Sequence, residues 1–277
     1  MKKVRGFLKK VIEIIKKPEM RILPGQLAFF FVISIIPLIA LLGAIVSYFS
    51  VSAAALREAI ELSMPTAVSN LLLSIIYSDG LNFNIGVFFV SAFILASNGT
   101  NSIINTSNEI YKIKPKDFVR RRIKAIIMTM ILVTLLTFVF LVPVFGDSIM
   151  TILKEQFNNE GVITFIHNIY QLIKYPMSIA IIYFNIKLIY VIAPDEKIES
   201  ATTTKGAIFT TISWIIASEV YSFYVATFTR YDIFYGSISN ILILLLWVYI
   251  LSYIFVLGLV LNVGTYRSMQ IKKEEQA

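Results

Sequence analysis

Cysteine is absent from this chain of 277 residues and histidine occurs once, at His167. Those shortages remove disulfide frameworks, thiolate metal sites and histidine-rich metal clusters, and with no cysteine the redox compartment stays open. Charge is scarce too. With 15% charged residues against 57% hydrophobic, there is too little polar surface to coat a water-soluble globule. No nucleotide-binding loop is present, so active transport by such a chain would need an ion gradient or a partner ATPase. Inverted repeats are also missing, which weakens analogy with the common transporter folds.

Long apolar runs take the place of these features. A membrane-crossing helix needs roughly 20 mostly apolar residues, because each backbone amide and carbonyl must be satisfied within the segment. Six stretches meet or approach that test, near Leu27 to Phe49, Asn84 to Asn108, Ala125 to Phe145, Tyr170 to Ala193, Gly206 to Phe228 and Ser237 to Thr265. The second and fifth are the most polar. The expected fold class is all-α: a polytopic integral membrane protein, a single membrane domain over residues 1–277, with a bundle of about six transmembrane helices and amphipathic interfacial helices. Ala53 and Ala55 after the first run imitate a signal-peptide cleavage site. The run is too long and too far from the start for that reading, so it is expected to remain as an anchor.

The net charge of +8 and pI near 9.5 would suit nucleic acid only if the basic residues gathered on a groove or face. They flank the apolar runs instead, so no nucleic acid is expected and membrane lipids are. Lys2, Lys3, Arg5, Lys9, Lys10, Lys16, Lys17 and Arg21 precede the first run; Lys112, Lys114, Lys116, Arg120, Arg121, Arg122 and Lys124 separate the second from the third. Lys197, Lys205, Arg267, Lys272 and Lys273 fall on the same side, against Arg57, Lys154 and Arg230 opposite. The positive-inside rule then places both ends, including the tail 266–277, in the cytoplasm.

Within residues 1–25, Val4, Phe7, Leu8, Val11 and Ile15 share one helical face opposite lysines, with Pro18 closing the segment. This reads either as a basic interfacial helix on anionic headgroups or as an ordinary positive flank. Ser52 to Ser78, broken at Pro65, predicts two short helices on the outer surface. Asp147 to His167 predicts two amphipathic pieces joined by a turn at Asn158, Asn159 and Gly161, with His167 in the loop.

The informative residues are those that hydrocarbon excludes, since an ionisable group at the bilayer centre costs at least ~2.5 kcal/mol. Glu219 falls near the middle of the fifth run with Thr211, Ser218, Ser222 and Thr229 beside it, a face expected to point into the bundle. It is either a protonatable carboxylate lining a polar cavity or a buried structural acid. In the second run Asn84, Ser91, Asn98 and Asn105 recur every seventh residue, with Asn101, Ser102, Asn108 and Glu109 on the same side. That face must meet other helices or water, as an interhelical hydrogen-bonded seam or as a groove for a polar headgroup. Gly99 at its middle permits close approach or a kink. Lys187 and Asn185 lie in the cytoplasmic half of the fourth run, where Lys187 either snorkels to the interface or reaches toward Glu219. Pro37 removes a backbone hydrogen bond from the first run and invites a kink beside Ser34. Trp247, Tyr249 and Tyr253 read as packing residues.

Gln26-Leu27-Ala28-Phe29-Phe30 with Ser34 and Pro37, then Tyr235-Gly236, Leu246-Trp247-Val248-Tyr249 and Leu257-Gly258 to Asn262, resemble the YihY/BrkB family of bacterial inner-membrane proteins. The resemblance covers nearly the whole chain and implies six spans in the cytoplasmic membrane. The family's last helix commonly carries an acid just before the asparagine; Val260 stands there here, so no role for that acid transfers. Family members once bore the label ribonuclease BN. RNA hydrolysis needs a metal held by clustered His and carboxylates, or a water-accessible acid/base pair, and the scattered acids of this chain supply neither. No enzyme activity and no cofactor are expected. The leading expectation is a transporter or flippase-like protein for an amphiphilic or lipid-linked substrate. The alternative is a non-transporting envelope scaffold, with a homo-oligomer or an envelope protein as partner.

Reporter tags fused to the two ends test the orientation directly: both should report the cytoplasm, and tags in opposite compartments would rule out an even number of crossings.

Overall fold

The computed structural model describes residues 18–48, 85–135, 160–228 and 239–274, with isolated positions between 61 and 73. Residues 1–17, most of 49–84, 136–159, 229–238, with Thr229, Arg230 and Tyr235-Gly236, and 275–277 lie outside the described residues. So do the expected interfacial helix from Val4, most of the two short helices before Ser78, and the turn at Asn158 and Asn159.

Among the described residues the secondary structure is helical. Six long helices follow one another: α1 (Glu19–Tyr48), α2 (Ile85–Tyr111), α3 (118–135), α4 (Glu160–Ile192), α5 (Ser200–Phe228) and α6 (Ser239–Glu274). Each contains one of the six apolar runs or its described part, and several extend beyond it. α1 starts at Glu19, directly after a turn in which the Arg21 amide donates to the Pro18 carbonyl at 3.0 Å. Residues 19–25 therefore belong to the first long helix. An acid in that first turn suits the positive end of the helix dipole. α4 begins at Glu160, so Gly161 and His167, expected in a loop, are helical. At the other end the expected tail is helix as far as Glu274. α1 continues without a break through Pro37, and α4 through Pro176.

α2 stops by a defined mechanism. The Ile113 amide donates to the Asn108 carbonyl at 2.9 Å and the Lys112 amide to that of Glu109 at 3.3 Å, with Lys112 at φ 59°. These two bonds and the left-handed residue make a Schellman motif. Pro115 in the following link cannot donate to a continuing helix. Asp117 then stands at the N-cap of α3, its carbonyl accepting the Arg121 amide at 3.1 Å.

α6 lies at the centre, packed against α5, α1 and α2; α1 also packs along α2, and α4 along α5. Leu27, Ile104, Ile186, Tyr190, Phe255, Val256 and Leu259 are fully buried at these contacts. Two of the helical stretches, Ser200–Thr227 and Ser239–Tyr266, are long and apolar enough to cross a membrane, with mean hydropathies of 1.3 and 2.6. Only 17% of the apolar window in the first is buried, against 50% in the second. α5 thus turns most of its apolar surface outward.

α5 and α6 cross in close backbone contact at Gly206 and Gly258. A Cβ placed on Gly206 would collide with the Gly258 carbonyl and the Asn262 amide; one on Gly258 would collide with Thr210 and the Tyr190 hydroxyl. Contact this close lets Asn262 Oδ1 accept the Gly206 amide at 2.8 Å. The Tyr190 hydroxyl, from α4, donates to the Phe255 carbonyl at 2.8 Å and lies 2.7 Å from Thr210 Oγ1. Trp214 Nε1 reaches the Leu251 carbonyl at 2.9 Å, and the Tyr221 hydroxyl that of Ile243 at 2.8 Å. Small residues bring the backbones together, and polar side chains then bond across the contact.

Gly206→Ala should lower stability by about 2 kcal/mol, because the obstructing atoms include backbone that cannot move aside. Gly264, with open space where a Cβ would go, is the control: Gly264→Ala should leave the thermal midpoint in detergent unchanged or higher.

Candidate functional site

The polar face of α2 is met along its length by α3 and by the link between α4 and α5. Arg122 donates from Nη1 to Asn98 Oδ1 at 2.8 Å and from Nη2 to the Ile94 carbonyl at 2.9 Å. Two residues nearer the α2–α3 link, Thr100 Oγ1 lies 2.8 Å from both Thr129 Oγ1 and the Ala125 carbonyl. Arg121 Nη1 donates to Asn105 Oδ1 at 3.1 Å. Asn108 forms a reciprocal pair with Asp195, donating from Nδ2 to Oδ2 at 2.7 Å while its Oδ1 accepts the Asp195 amide at 2.8 Å.

Asp195 is the centre of this end of the seam. Its side chain is 1% exposed. Besides Asn108 it accepts the Lys116 amide at 3.2 Å and the Lys124 ammonium at 3.1 Å. Lys124 also donates to the carbonyls of Ala193 and Pro194, at 2.8 and 2.7 Å, just past the end of α4. A cation there suits the negative end of that helix's dipole. Burial pushes the Asp195 carboxyl up, but the Lys116 amide, the Lys124 ammonium and the Asn108 amide outweigh it and hold the group below its ordinary value. Lys124 moves the other way for a lysine that has a partner: burial lowers it, and the Asp195 bond only partly compensates. Two of its three acceptors are neutral carbonyls, which return less of the lost hydration than a carboxylate does.

Gly99 is a point of close approach. A Cβ there would sit 3.0 Å from Ser34 Oγ, and Ser34 Oγ donates to the Leu95 carbonyl at 3.4 Å, which locks α1 against α2. Beyond that contact, Pro18, Glu19, Ile22, Leu23, Gln26, Asn105 and Glu109 line an open cleft of about 490 Å3 between α1 and α2. At its rim Lys112 bridges Glu19 at 3.1 Å and Glu109 at 3.4 Å. The Glu19 bond is the main cause of a Lys112 ammonium held above its usual range.

The sequence-predicted residues divide into two groups. Ser34, Asn98, Gly99, Asn105 and Asn108 converge on α2, and Asn101 is half-buried on the same helix. Asn185, Lys187, Ser218, Glu219 and Ser222 lie on α4 and α5, with α6 between the groups. Asn185 is buried and donates to the Ile181 carbonyl at 2.9 Å, while its Oδ1 has no partner among the described residues. The Lys187 ammonium stands 5.9 Å from the Tyr183 ring centroid, and no described contact joins it to Glu219. Ser218 accepts the Trp247 indole N–H at 3.2 Å; Ser222 is half-buried.

Glu219, expected to face inward, is exposed. α5 packs through Gly206, Thr210, Trp214 and Tyr221, and Glu219, five residues after Trp214, is turned about 140° from it around the helix. It shares the outward stripe of Ile212, Ile216, Val220 and Phe223. Sequence reasoning assigned the buried acid to Glu219 and missed Asp195, which sits in a link after Ala193-Pro194. It also treated Arg121, Arg122 and Lys124 only as a positive flank. The available signal was their position, immediately before a span and beside a helix with too many amides for lipid.

Long apolar helices with hydrogen-bonded polar seams and outward oily faces define an α-helical membrane protein. The chain belongs to the Virulence factor BrkB family, whose model matches residues 12–277. It is 29% identical over 273 residues to the "Putative ribonuclease-like protein YfkH" of Bacillus subtilis, covering 97% of this chain and 98% of that protein. A UPF0761 membrane protein of Vibrio parahaemolyticus is 24% identical over 91% of this chain and 80% of its own length. Another from Glaesserella parasuis is 22% identical over 63% of this chain and 57% of its own. No solved structure matches. Among the described residues no group of three or more His, Cys, Asp or Glu side chains could hold a metal ion.

Asp195→Asn should destabilise the protein by about 3 kcal/mol, the low end for breaking a buried pair, because Lys124 keeps partial access to solvent. The acid limb of stability should change with it. A carboxyl depressed by folding contributes fully above the unfolded value of about 4 and loses that contribution as pH falls through its lower folded value. Thermal midpoints measured from neutral pH downward should therefore fall less steeply in the variant than in the wild type.

Proposed function

We propose that this BrkB-family protein crosses the bacterial cytoplasmic membrane six times with both ends in the cytoplasm, and handles an amphiphilic, lipid-like substrate at its lipid-facing surface. One observation carries the reading: Glu219, an ionisable group midway along an apolar helix, lies on the outward stripe with Val220 and Phe223, which are 62% and 64% exposed. A carboxylate there is costly against hydrocarbon. That cost is offset if the group meets the polar part of a molecule moving between leaflets. A substrate with a polar head and apolar chains fits a surface where a lone acid interrupts an oily stripe. The enclosed cavity expected between Glu219 and the α2 amides does not support the reading, since α6 separates them, α3 occupies Asn98 and Asn105, and Asp195 occupies Asn108.

That occupation favours a second reading. A seam filled by Arg121, Arg122 and Asp195 is what a non-transporting envelope scaffold would have, and Glu219 would then mark the face on which a partner helix docks. The ribonuclease-like wording in the name of the Bacillus subtilis relative finds no support in the seam, whose one buried carboxylate is engaged by Lys124, Asn108 and the Lys116 amide.

Reconstituted into vesicles, the wild-type protein should speed the transbilayer movement of a fluorescent phospholipid analogue, and Glu219→Gln should slow it several-fold while inserting and purifying normally. Equal movement in wild type, variant and protein-free vesicles would remove the transport reading. Co-purification of a stoichiometric membrane protein, lost in Glu219→Gln, would install the scaffold.

A further inference from the structure

The cations around the α2–α3 link are not equally matched. Lys112 pairs with Glu19 and Glu109, Arg120 with Asp117, and Lys124 with Asp195. Arg121 and Arg122 differ: their acceptors among the described residues are neutral, namely Asn105 Oδ1 for the first, and Asn98 Oδ1 and the Ile94 carbonyl for the second. Both side chains are half-buried. Arg121 Nε is buried with no hydrogen-bond partner among the described residues. Arginine stays protonated in any protein setting and carries five N–H donors, so among the described residues two full positive charges have no anionic partner and most of their donors are unanswered.

Their placement limits what can answer them. Asn98 and Asn105 lie seven residues apart on α2, which staggers the two guanidinium anchor points by roughly 10 Å along the helix axis, with Arg122 reaching further from the link. Its bond to the Ile94 carbonyl is exposed, so this guanidinium is open to the surroundings of the bundle. The cleft between α1 and α2 is lined by Glu19 and Glu109, and an anion is repelled from it. The approach left open is along α3, where Phe118, Val119 and Ile123 are 73%, 65% and 54% exposed. An apolar surface of that kind suits acyl chains.

We infer that Arg122, anchored on Asn98, binds the phosphate of an anionic phospholipid whose chains lie against Phe118, Val119 and Ile123, while Arg121, anchored on Asn105 roughly 10 Å nearer the link, adds its positive charge. The guanidinium fork matches phosphate oxygens in pairs, and Asn98 holds the Arg122 fork in place before the lipid arrives. Inorganic phosphate offers the same oxygens without the chains, so it binds more weakly. Phosphatidylcholine offers the chains with a phosphate whose charge is already balanced within its headgroup. The site does not depend on transport and would be present in a scaffold as well.

The full-length protein in dodecyl maltoside, titrated with phosphatidylglycerol in mixed micelles, tests this through its thermal midpoint. Phosphatidylglycerol should raise the midpoint saturably, whereas phosphatidylcholine or inorganic phosphate at equal concentration should do so much less. In the double variant Arg121→Gln, Arg122→Gln the half-saturating concentration should rise about tenfold or more. Arg120→Gln, at a neighbouring exposed position, should stay within about twofold of wild type. Should the double glutamine variant fail to fold, Arg121→Lys, Arg122→Lys keeps the charges without the forks and should weaken binding about threefold. Retention of wild-type half-saturation in whichever double variant folds would overturn the site. An equal loss in Arg120→Gln, or an equal midpoint rise with inorganic phosphate, would overturn it too.

Discussion

An amide side chain held away from water must be hydrogen-bonded, and the row of asparagines on α2 imposes that requirement on its neighbours at several heights. The arrangement of this end of the molecule follows. α3 supplies arginines to Asn98 and Asn105, and the α4–α5 link supplies Asp195 to Asn108. Those bonds recruit a chain segment from far along the sequence to the end of α2, and Lys124 then closes the arrangement by capping α4 and pairing with Asp195. An unmet amide costs the full desolvation of the group, so each of these contacts matters more for what its absence would leave behind than for its own bond energy.

A second constraint governs the other half. At the α5–α6 crossing, two glycines remove the side chains that would hold the backbones apart, and Asn262, Tyr190 and Thr210 convert the proximity into bonds. The two halves use different devices for the same problem. α2 is polar and imports charged partners; α5 and α6 are largely apolar and gain their cohesion from close backbone approach. α6 belongs to both, touching α2 along one side and α5 along another.

The consequence for function is a separation of polar groups. Those of α2 are largely consumed by internal bonds, while Glu219 and parts of the α3 arginines remain accessible on outward surfaces. Among the described residues the accessible polar groups therefore lie on outward surfaces, while Asn98, Asn105 and Asn108 of the α2 seam are bonded within the bundle.

Class and helix content were legible from residue order alone, because hydrophobic run length is a local property and the need to satisfy the backbone in lipid makes helix the outcome of such runs. The asparagine face of α2 was legible for the same reason: a period of seven puts residues on one side of a helix whatever surrounds it. The partners of that face were not. Arg121, Arg122 and Lys124 resemble any basic flank until the direction of α3 is known, and Asp195 looks like an ordinary loop acid until its link folds back over Asn108. Glu219 marks the limit of what residue order decides. Its position along α5 could be read from hydropathy, but which way it faces depends on how the helix is rotated. That rotation is set by Gly206, Thr210, Trp214 and Tyr221 finding their places on α4 and α6, a choice made by packing between segments distant in sequence.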